Sequence, residues 1–237
     1  MKPKILSTHE AMSSSAAQWL RCALEQQPNS LLCLATGGTP MLTYEKLVAE
    51  GRKAPSLCSQ MRILKLDEWG GLAMDDPASC EFALQTSVIR PLKLERRYVG
   101  FNSRPKNAEK ECGRIASWLR KNGPIDLCVL GLGVNGHLAF NEPSNALQPG
   151  IHIAKLARES MGHSMLNVAR ATPRYGLTLG IGDILQSQQI LLLVSGAAKQ
   201  GPLRQLMEGR VTPGFPASFL WLHPNVTLLC DRAAANV

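Results

Sequence analysis

The stretch DLCVLGLGVNGHLAFNEP, residues 126–143, decides how the rest of the chain is read. Leu127, Cys128, Val129 and Leu130 form an unbroken apolar run. Such a run marks a strand buried on both faces, as in a parallel sheet. Gly131, Gly133 and Gly136 follow and let the backbone turn tightly and approach a ligand. The same loop then carries Asn135, His137 and Glu142. In an open parallel sheet, ligands sit in the crevice beyond the carboxyl ends of the strands. A histidine and a carboxylate on one such loop suit proton transfer.

Gly131, Gly133 and Gly136 also fit the G-x-G-x-x-G spacing of dinucleotide-binding loops. That fingerprint needs a helix opening at the third glycine, with its N-terminus aimed at a pyrophosphate. Pro143, Pro149 and Gly150 leave no room for a helix of normal length here. The match is read as a coincidence of spacing, and no nicotinamide cofactor is expected.

Working outward, the 237 residues are 45% hydrophobic, which suits one α/β domain spanning 1–237. The N-terminus lacks an apolar signal segment, and no stretch approaches the roughly 18 apolar residues of a membrane span. A cytoplasmic protein is expected. The seven cysteines are odd in number and contain no C-x-x-C pair, which argues against a disulfide framework or a zinc site. No cysteine lies in a glycine-rich loop beside a histidine, so no catalytic thiol is expected. The net charge of +8 is scattered rather than striped, without interleaved aromatics. Nucleic acid is therefore not an expected partner, whereas a positive field favours an anionic small substrate. A homo-oligomer is left open.

Ser7 to Gln26 reads as an amphipathic helix and Leu31 to Ala35 as a buried strand. The strand runs into Thr36-Gly37-Gly38-Thr39-Pro40 and then a helix from Met41. Strand, glycine turn and helix N-terminus together make an anion seat. A plain tight turn with Thr39 as N-cap and Pro40 at the first helical position fits equally well. Arg62 to Leu66 reads as a second strand, ending in Asp67 and Glu68. Those carboxylates are either a solvated loop start or a general base facing the crevice of His137. Helices are expected from about Glu81 to Ile89, from Ala108 to Lys121 and around Met161 to Ala169. Further strands are expected at Tyr98–Phe101, Ile151–Leu156, Ile190–Val194, Ala217–Leu222 and Val226–Cys230. Lys199 falls in the first turn of the helix after Ser195-Gly196. A cation there opposes the helix dipole, which suggests a bound anion, though a lone surface lysine is the commoner explanation. The β-α alternation argues a doubly wound, mainly parallel sheet with helices on both faces.

ATGGTPMLTY (35–44), LDEW (66–69), LGLGVNGHLAFNEP (130–143), SGAAK (195–199) and PASFLWLHPN (216–225) resemble, in the same order, the glucosamine-6-phosphate deaminase/isomerase family. They look closest to its galactosamine-6-phosphate isomerase branch. The resemblance implies a Rossmann-like fold shared with 6-phosphogluconolactonases. It also implies conversion of a hexosamine 6-phosphate to a ketohexose 6-phosphate and ammonia, without metal or cofactor. Asp67 resembles the base that moves a proton between C2 and C1. His137 resembles the group that opens the sugar ring, and Glu142 the carboxylate that orients it. Asn135 occupies a position that is Asp in some members. Thr36, Gly37, Gly38, Thr39 and Lys199 resemble the phosphate site. Many members carry an arginine where Met161 stands here, and Arg158 and His163 are the candidates to replace it. The residues of the family's allosteric site are not recognisable. Two other readings compete: a lactone hydrolase, disfavoured by the residues after His137, and a non-catalytic sugar-phosphate sensor.

Overall fold

Apolar runs of four to six residues, too short for helices, pair laterally and bury both their faces. The computed structural model describes residues 1–237. In chain order its strands are β1 (Pro3–Leu6), β2 (Leu31–Leu34), β3 (Arg62–Lys65), β4 (Asp67–Gly70), β5 (Tyr98–Val99), β6 (Leu127–Gly131), β7 (His152–Ala154), β8 (Tyr175–Thr178), β9 (Gln189–Val194) and β10 (Val226–Asp231). The helices are α1 (His9–Gln26), α2 (Gly38–Lys53), α3 (Cys80–Leu84), α4 (Arg90–Leu92), α5 (Ala108–Asn122), α6 (Arg158–Met161), α7 (Ile181–Leu185), α8 (Gln200–Met207) and α9 (Arg232–Ala235).

The main sheet has seven strands in the order β1-β10-β9-β6-β2-β3-β5. Every pairing in it is parallel. This is the expected mainly parallel sheet. Successive residues alternate between two cores: Leu31 and Cys33 join one, Leu32 and Leu34 the other. Cys128 and Leu130 likewise lie on one face, Leu127 and Val129 on the other. From β2 the chain builds outward through β3 to β5, then returns to lay β6 on the other side of β2. The gap beyond the carboxyl ends of β2 and β6 is therefore a topological switch point, where doubly wound folds open a binding crevice.

Several expectations are corrected. β4 pairs antiparallel with β8, and β8 with β7, making a second sheet of three strands. Asp67 to Gly70 is thus a strand, not a loop start. β1 was not expected; as an edge strand with two exposed residues it lacks a continuous apolar run. Ala217–Leu222 is not a strand but lies within a 3-10 helix, Pro216–Leu222. A short apolar run is ambiguous by periodicity, and Pro216 at the first helical position tips it. The helix expected over 161–169 splits into α6 and a 3-10 turn, Ser164–Val168, because Gly162 caps α6. The helix from Cys80 passes through a π-helical turn, Gln85–Ile89, before α4. Thr39 does not cap α2; Gly37 does, with φ 104°, so the helix opens before the proline. Only glycine adopts that φ without strain.

Candidate active site

The carboxyl ends of β2, β3, β6 and β9 converge on one cavity of about 490 Å³. Its walls include Thr36, Gly37, Gly38 and Thr39 after β2, Asp67 at the start of β4, and His137 on the loop after β6. Lys199 after β9, His163 from the segment after α6 and His9 of α1 also line it. Asp67, His137, His163, Lys199 and the Thr36–Thr39 loop, assigned from sequence, thus share one space.

Gly133 lets the histidine fold back on its own loop: a Cβ there would meet the His137 ring at 2.3 Å. No helix follows Gly136; the chain makes turns and a bridge between Leu138 and Asn141 instead. The dinucleotide reading is excluded on that ground.

His137 Nδ1 lies 3.0 Å from Glu142 Oε2. Asn135 Nδ2 donates to that same oxygen at 3.0 Å, and Asn135 Oδ1 accepts the His137 backbone N–H at 3.1 Å. Glu142 Oε1 accepts from the Ser160 hydroxyl and, at 3.4 Å, from the Ala157 N–H. Burial pushes the Glu142 carboxyl up, but hydrogen bonds from His137, Ser160 and Asn135 outweigh it and hold the carboxyl below its ordinary range. Glu142 and Asn135 stand behind His137 and do not line the cavity. Their chemistry reaches a ligand through the imidazole.

Asp67 is poised differently. Burial and the neighbouring Glu68 carboxylate push its carboxyl up to about 7, against the opposing pull of His137 and Lys65. A carboxyl titrating near neutrality can take and return a proton. Cys80, which also lines the cavity, places Sγ 3.8 Å from Asp67 Oδ1. Burial keeps that thiol protonated, with its pKa well above the ordinary value, so it is a weak donor rather than a nucleophile.

Lys199 is the terminal residue of the 3-10 turn Ala197–Lys199, one position before α8 and not inside that helix. Burial alone lowers its pKa; no carboxylate contributes. A half-buried cation without an ion pair, beside a glycine loop at a helix N-terminus, is a seat for an anion.

Two assignments are corrected. Glu68 is fully buried and does not face the cavity. Its oxygens accept from Lys65 Nζ at 2.6 Å and from the N–H groups of Trp69, Cys80 and Glu81. It anchors β4 to α3, and four donors leave it nothing for a substrate. Arg158 is solvent-exposed in the first turn of α6 and does not line the cavity. Met161 is absent from the cavity wall too, while His163 is part of it. Cys80 and Ser160 were not found from sequence. Ser160 lies 18 residues from Glu142 in a segment without regular periodicity, so nothing local signals the contact.

The family described as glucosamine-6-phosphate isomerases/6-phosphogluconolactonase matches residues 7–229. This chain belongs to that family. Among its relatives is the provisionally named deaminase AgaI of Escherichia coli (strain K12), 41% identical over 227 residues, spanning 95% of this chain and 90% of that one. Glucosamine-6-phosphate deaminase 1 of Bacillus subtilis (strain 168) is 35% identical over 242 residues, spanning 100% and 99%. A solved monomeric glucosamine-6-phosphate deaminase superposes with a TM-score of 0.94 at 34% identity, over 100% of this chain and 99% of that one. A 6-phosphogluconolactonase from Trypanosoma brucei superposes with a TM-score of 0.80 at 18% identity, over 99% and 97%, which reflects the shared fold of the family. No helix of the chain is long and apolar enough to cross a membrane.

Proposed function

We propose that this chain is a hexosamine-6-phosphate deaminase/isomerase, converting its substrate to a ketohexose 6-phosphate and ammonia, with galactosamine 6-phosphate favoured and glucosamine 6-phosphate also considered. One observation carries the reading. A carboxyl poised near neutrality, a carboxylate-held histidine and an unpaired lysine beside a glycine loop all face one cavity.

The phosphate takes the Thr36–Thr39 loop, the Lys199 ammonium and His163. His137, held in place by Glu142, gives a proton to the ring oxygen and the pyranose opens to the aldehyde. Asp67 then removes the C2 proton and delivers it to C1. As an amine N–H proton passes to the C1 oxygen, the C2 amine becomes an imine and C1 a hydroxymethyl group, and water cleaves the imine to ketone and ammonia. Asn135 holds Glu142 and the loop backbone in register for the first step. Every step is proton transfer or hydration, so the scheme calls on no metal or nucleotide. No cluster of three or more His, Cys, Asp or Glu is arranged to hold a metal ion.

We place this enzyme, as one domain, in the cytoplasm, with a homo-oligomer left open. The test is a coupled assay of purified protein with each hexosamine 6-phosphate, reading ammonia and ketose phosphate separately. Release of both in equal amounts supports the reading. Acid production from a sugar lactone 6-phosphate, without ammonia from either amine, sinks it.

A further inference from the structure

The polar lining of the anion seat holds a histidine whose two nitrogens do different work. His163 sits between α6 and the 3-10 turn Ser164–Val168 and caps that turn: the Met165 backbone N–H donates to its Nδ1 at 3.2 Å. An amide N–H only donates, so Nδ1 must be the bare, accepting nitrogen. The ring proton of the neutral imidazole therefore resides on Nε2. That edge of the ring faces the glycine loop: a Cβ on Gly37 would lie 3.5 Å from Cε1 and 3.6 Å from Nε2. The Trp69 ring lies beside it, with centroids 6.3 Å apart and the planes tilted by 47°.

From this geometry we infer that His163 is a tautomer-fixed, uncharged hydrogen-bond donor to the substrate's anionic group, presenting Nε2–H beside the Lys199 ammonium. The inference deepens the reading above, since it concerns the same anion seat. A second proton on His163 would have to go on Nδ1 and would break the Met165 cap. Lys199 and the His137 ring, which share the cavity, oppose it too. Burial, then Lys199, then His137 all hold the imidazole below its ordinary pKa. Glu159, exposed at the cavity wall, is the one carboxylate of that segment that lines the same space. Lys199 is the one lysine or arginine lining the seat, and His9 Nε2 is engaged with the Thr39 carbonyl at 3.0 Å; directionality comes from N–H groups, His163 Nε2 and the backbone of the loop at the N-terminus of α2.

This has a chemical consequence. A seat with an arginine or an imidazolium adds a full positive charge and binds any dianion tightly. A seat with one lysine and a neutral donor discriminates more by geometry, because hydrogen bonds, unlike point charges, require the oxygen to be in the right place. Binding also proceeds without proton uptake by the histidine.

Sulfate is the probe, because it carries two charges throughout the working range and does not titrate itself. In 15N-edited NMR of the intact protein, His163 should show one protonated and one bare ring nitrogen from pH 6 to 8. Adding sulfate should move the Nε2 resonance while Nδ1 stays bare. His163→Ala should weaken sulfate binding on the order of 10- to 100-fold, the range for a hydrogen bond to a charged group. His163→Gln, whose amide nitrogen reaches about as far as Nε2, should stay within about threefold of wild type on the same scale. Neither readout depends on turnover, so an absence of deaminase activity would leave this inference standing. Two results overturn it: both ring nitrogens protonated in the sulfate complex, or sulfate affinity unchanged in His163→Ala.

Discussion

One carboxylate oxygen, Glu142 Oε2, is shared by His137 Nδ1 and Asn135 Nδ2, each at 3.0 Å. The imidazole is thereby held with Nδ1 toward the carboxylate, and its protonated form gains a charged partner. Glu142→Gln keeps the shape but replaces that partner by a neutral amide. The variant should lose about 10²–10⁴-fold in turnover of cyclic hexosamine phosphate, the usual range for general acid–base help. Solvent exchange of the C1 hydrogen of ketose phosphate in the presence of ammonia, a partial reaction that ends before ring closure, should lose far less. Equal losses in the exchange and in turnover of the cyclic substrate would remove His137 from the ring-opening step.

Asp67 sets a different limit. Its carboxyl is pushed up to about 7 by burial and Glu68, and only the ionised form can take the C2 proton. Activity should therefore rise with pH through about 7 and level off above it. The substrate phosphate ionises near pH 6 and lies below that step. Asp67→Asn should abolish exchange of the C2 hydrogen with solvent deuterium while leaving sulfate binding intact. A variant that still exchanges, or a wild-type profile flat from pH 6 to 8, would show that the base is elsewhere.

The same carboxyl bears on stability with the opposite sign from a salt-bridged acid. An aspartate whose folded pKa is raised favours the folded state when protonated. Its ionisation destabilises the fold progressively as pH rises from the ordinary carboxyl range through about 7. Asp67→Asn removes that penalty. Melting temperature should rise at pH 8, by the roughly 0.5–2 kcal/mol typical of relieved active-site strain, or about 2–4 °C per kcal/mol at this chain length. At pH 4 the gain should vanish. A gain equal at both pH values would trace to packing instead.

Lys199 is half-buried with no carboxylate contributing to its titration, so removing its charge should harm binding more than folding. Lys199→Ala should raise KM for the phosphorylated sugar about 10- to 100-fold, the worth of a charge-assisted hydrogen bond, with kcat changed little. An unchanged KM would make Lys199 a surface residue.

What was legible in the sequence follows a physical pattern. Strands buried on both faces, such as β2, β6 and β9, announce themselves because every residue must be apolar. Residues on their carboxyl-terminal loops were legible for the same reason: once the strand is placed, the loop is placed. β4, with half-buried Asp67 and buried Glu68, carries no such signal and reads as a loop start from sequence. Cys80 and Ser160 reach the site from other segments, and a contact made only by tertiary packing leaves no local spacing to read. Glu68 was misjudged because a charged residue after a strand is ordinarily solvated, and its partners lie at Lys65 and along the start of α3.

Those partners make the last prediction. Lys65 is fully buried, with Nζ 2.6 Å from Glu68 Oε2, 2.7 Å from Glu81 Oε2 and 2.9 Å from the Phe101 carbonyl. One cation thus serves two carboxylates, and the Tyr98 hydroxyl donates to Glu81 at 2.5 Å. Burial opposes the charge on Lys65, but the two carboxylates outweigh it and keep the ammonium firmly protonated. Lys65→Met fills similar space yet leaves two carboxylates facing each other without a counter-charge. Breaking a buried pair in this way costs about 3–5 kcal/mol. Glu81→Gln is milder, because its amide can turn so that oxygen still accepts from Lys65 and Tyr98 while nitrogen donates to Gln85 Oε1 once the Gln85 amide flips from the donor role it has toward Glu81. It should cost about 1 kcal/mol or less, near the net worth of one neutral hydrogen bond. The two variants should also differ in pH dependence. In Lys65→Met the orphaned carboxylates have raised folded pKa values, so they bind protons on folding. The deficit should be largest at pH 8 and shrink as pH falls toward 5. Urea denaturation at both pH values measures this. A Lys65→Met protein as stable as wild type at pH 8, or a deficit that grows on acidification, would mean the cluster does not hold β3, β4 and α3 together.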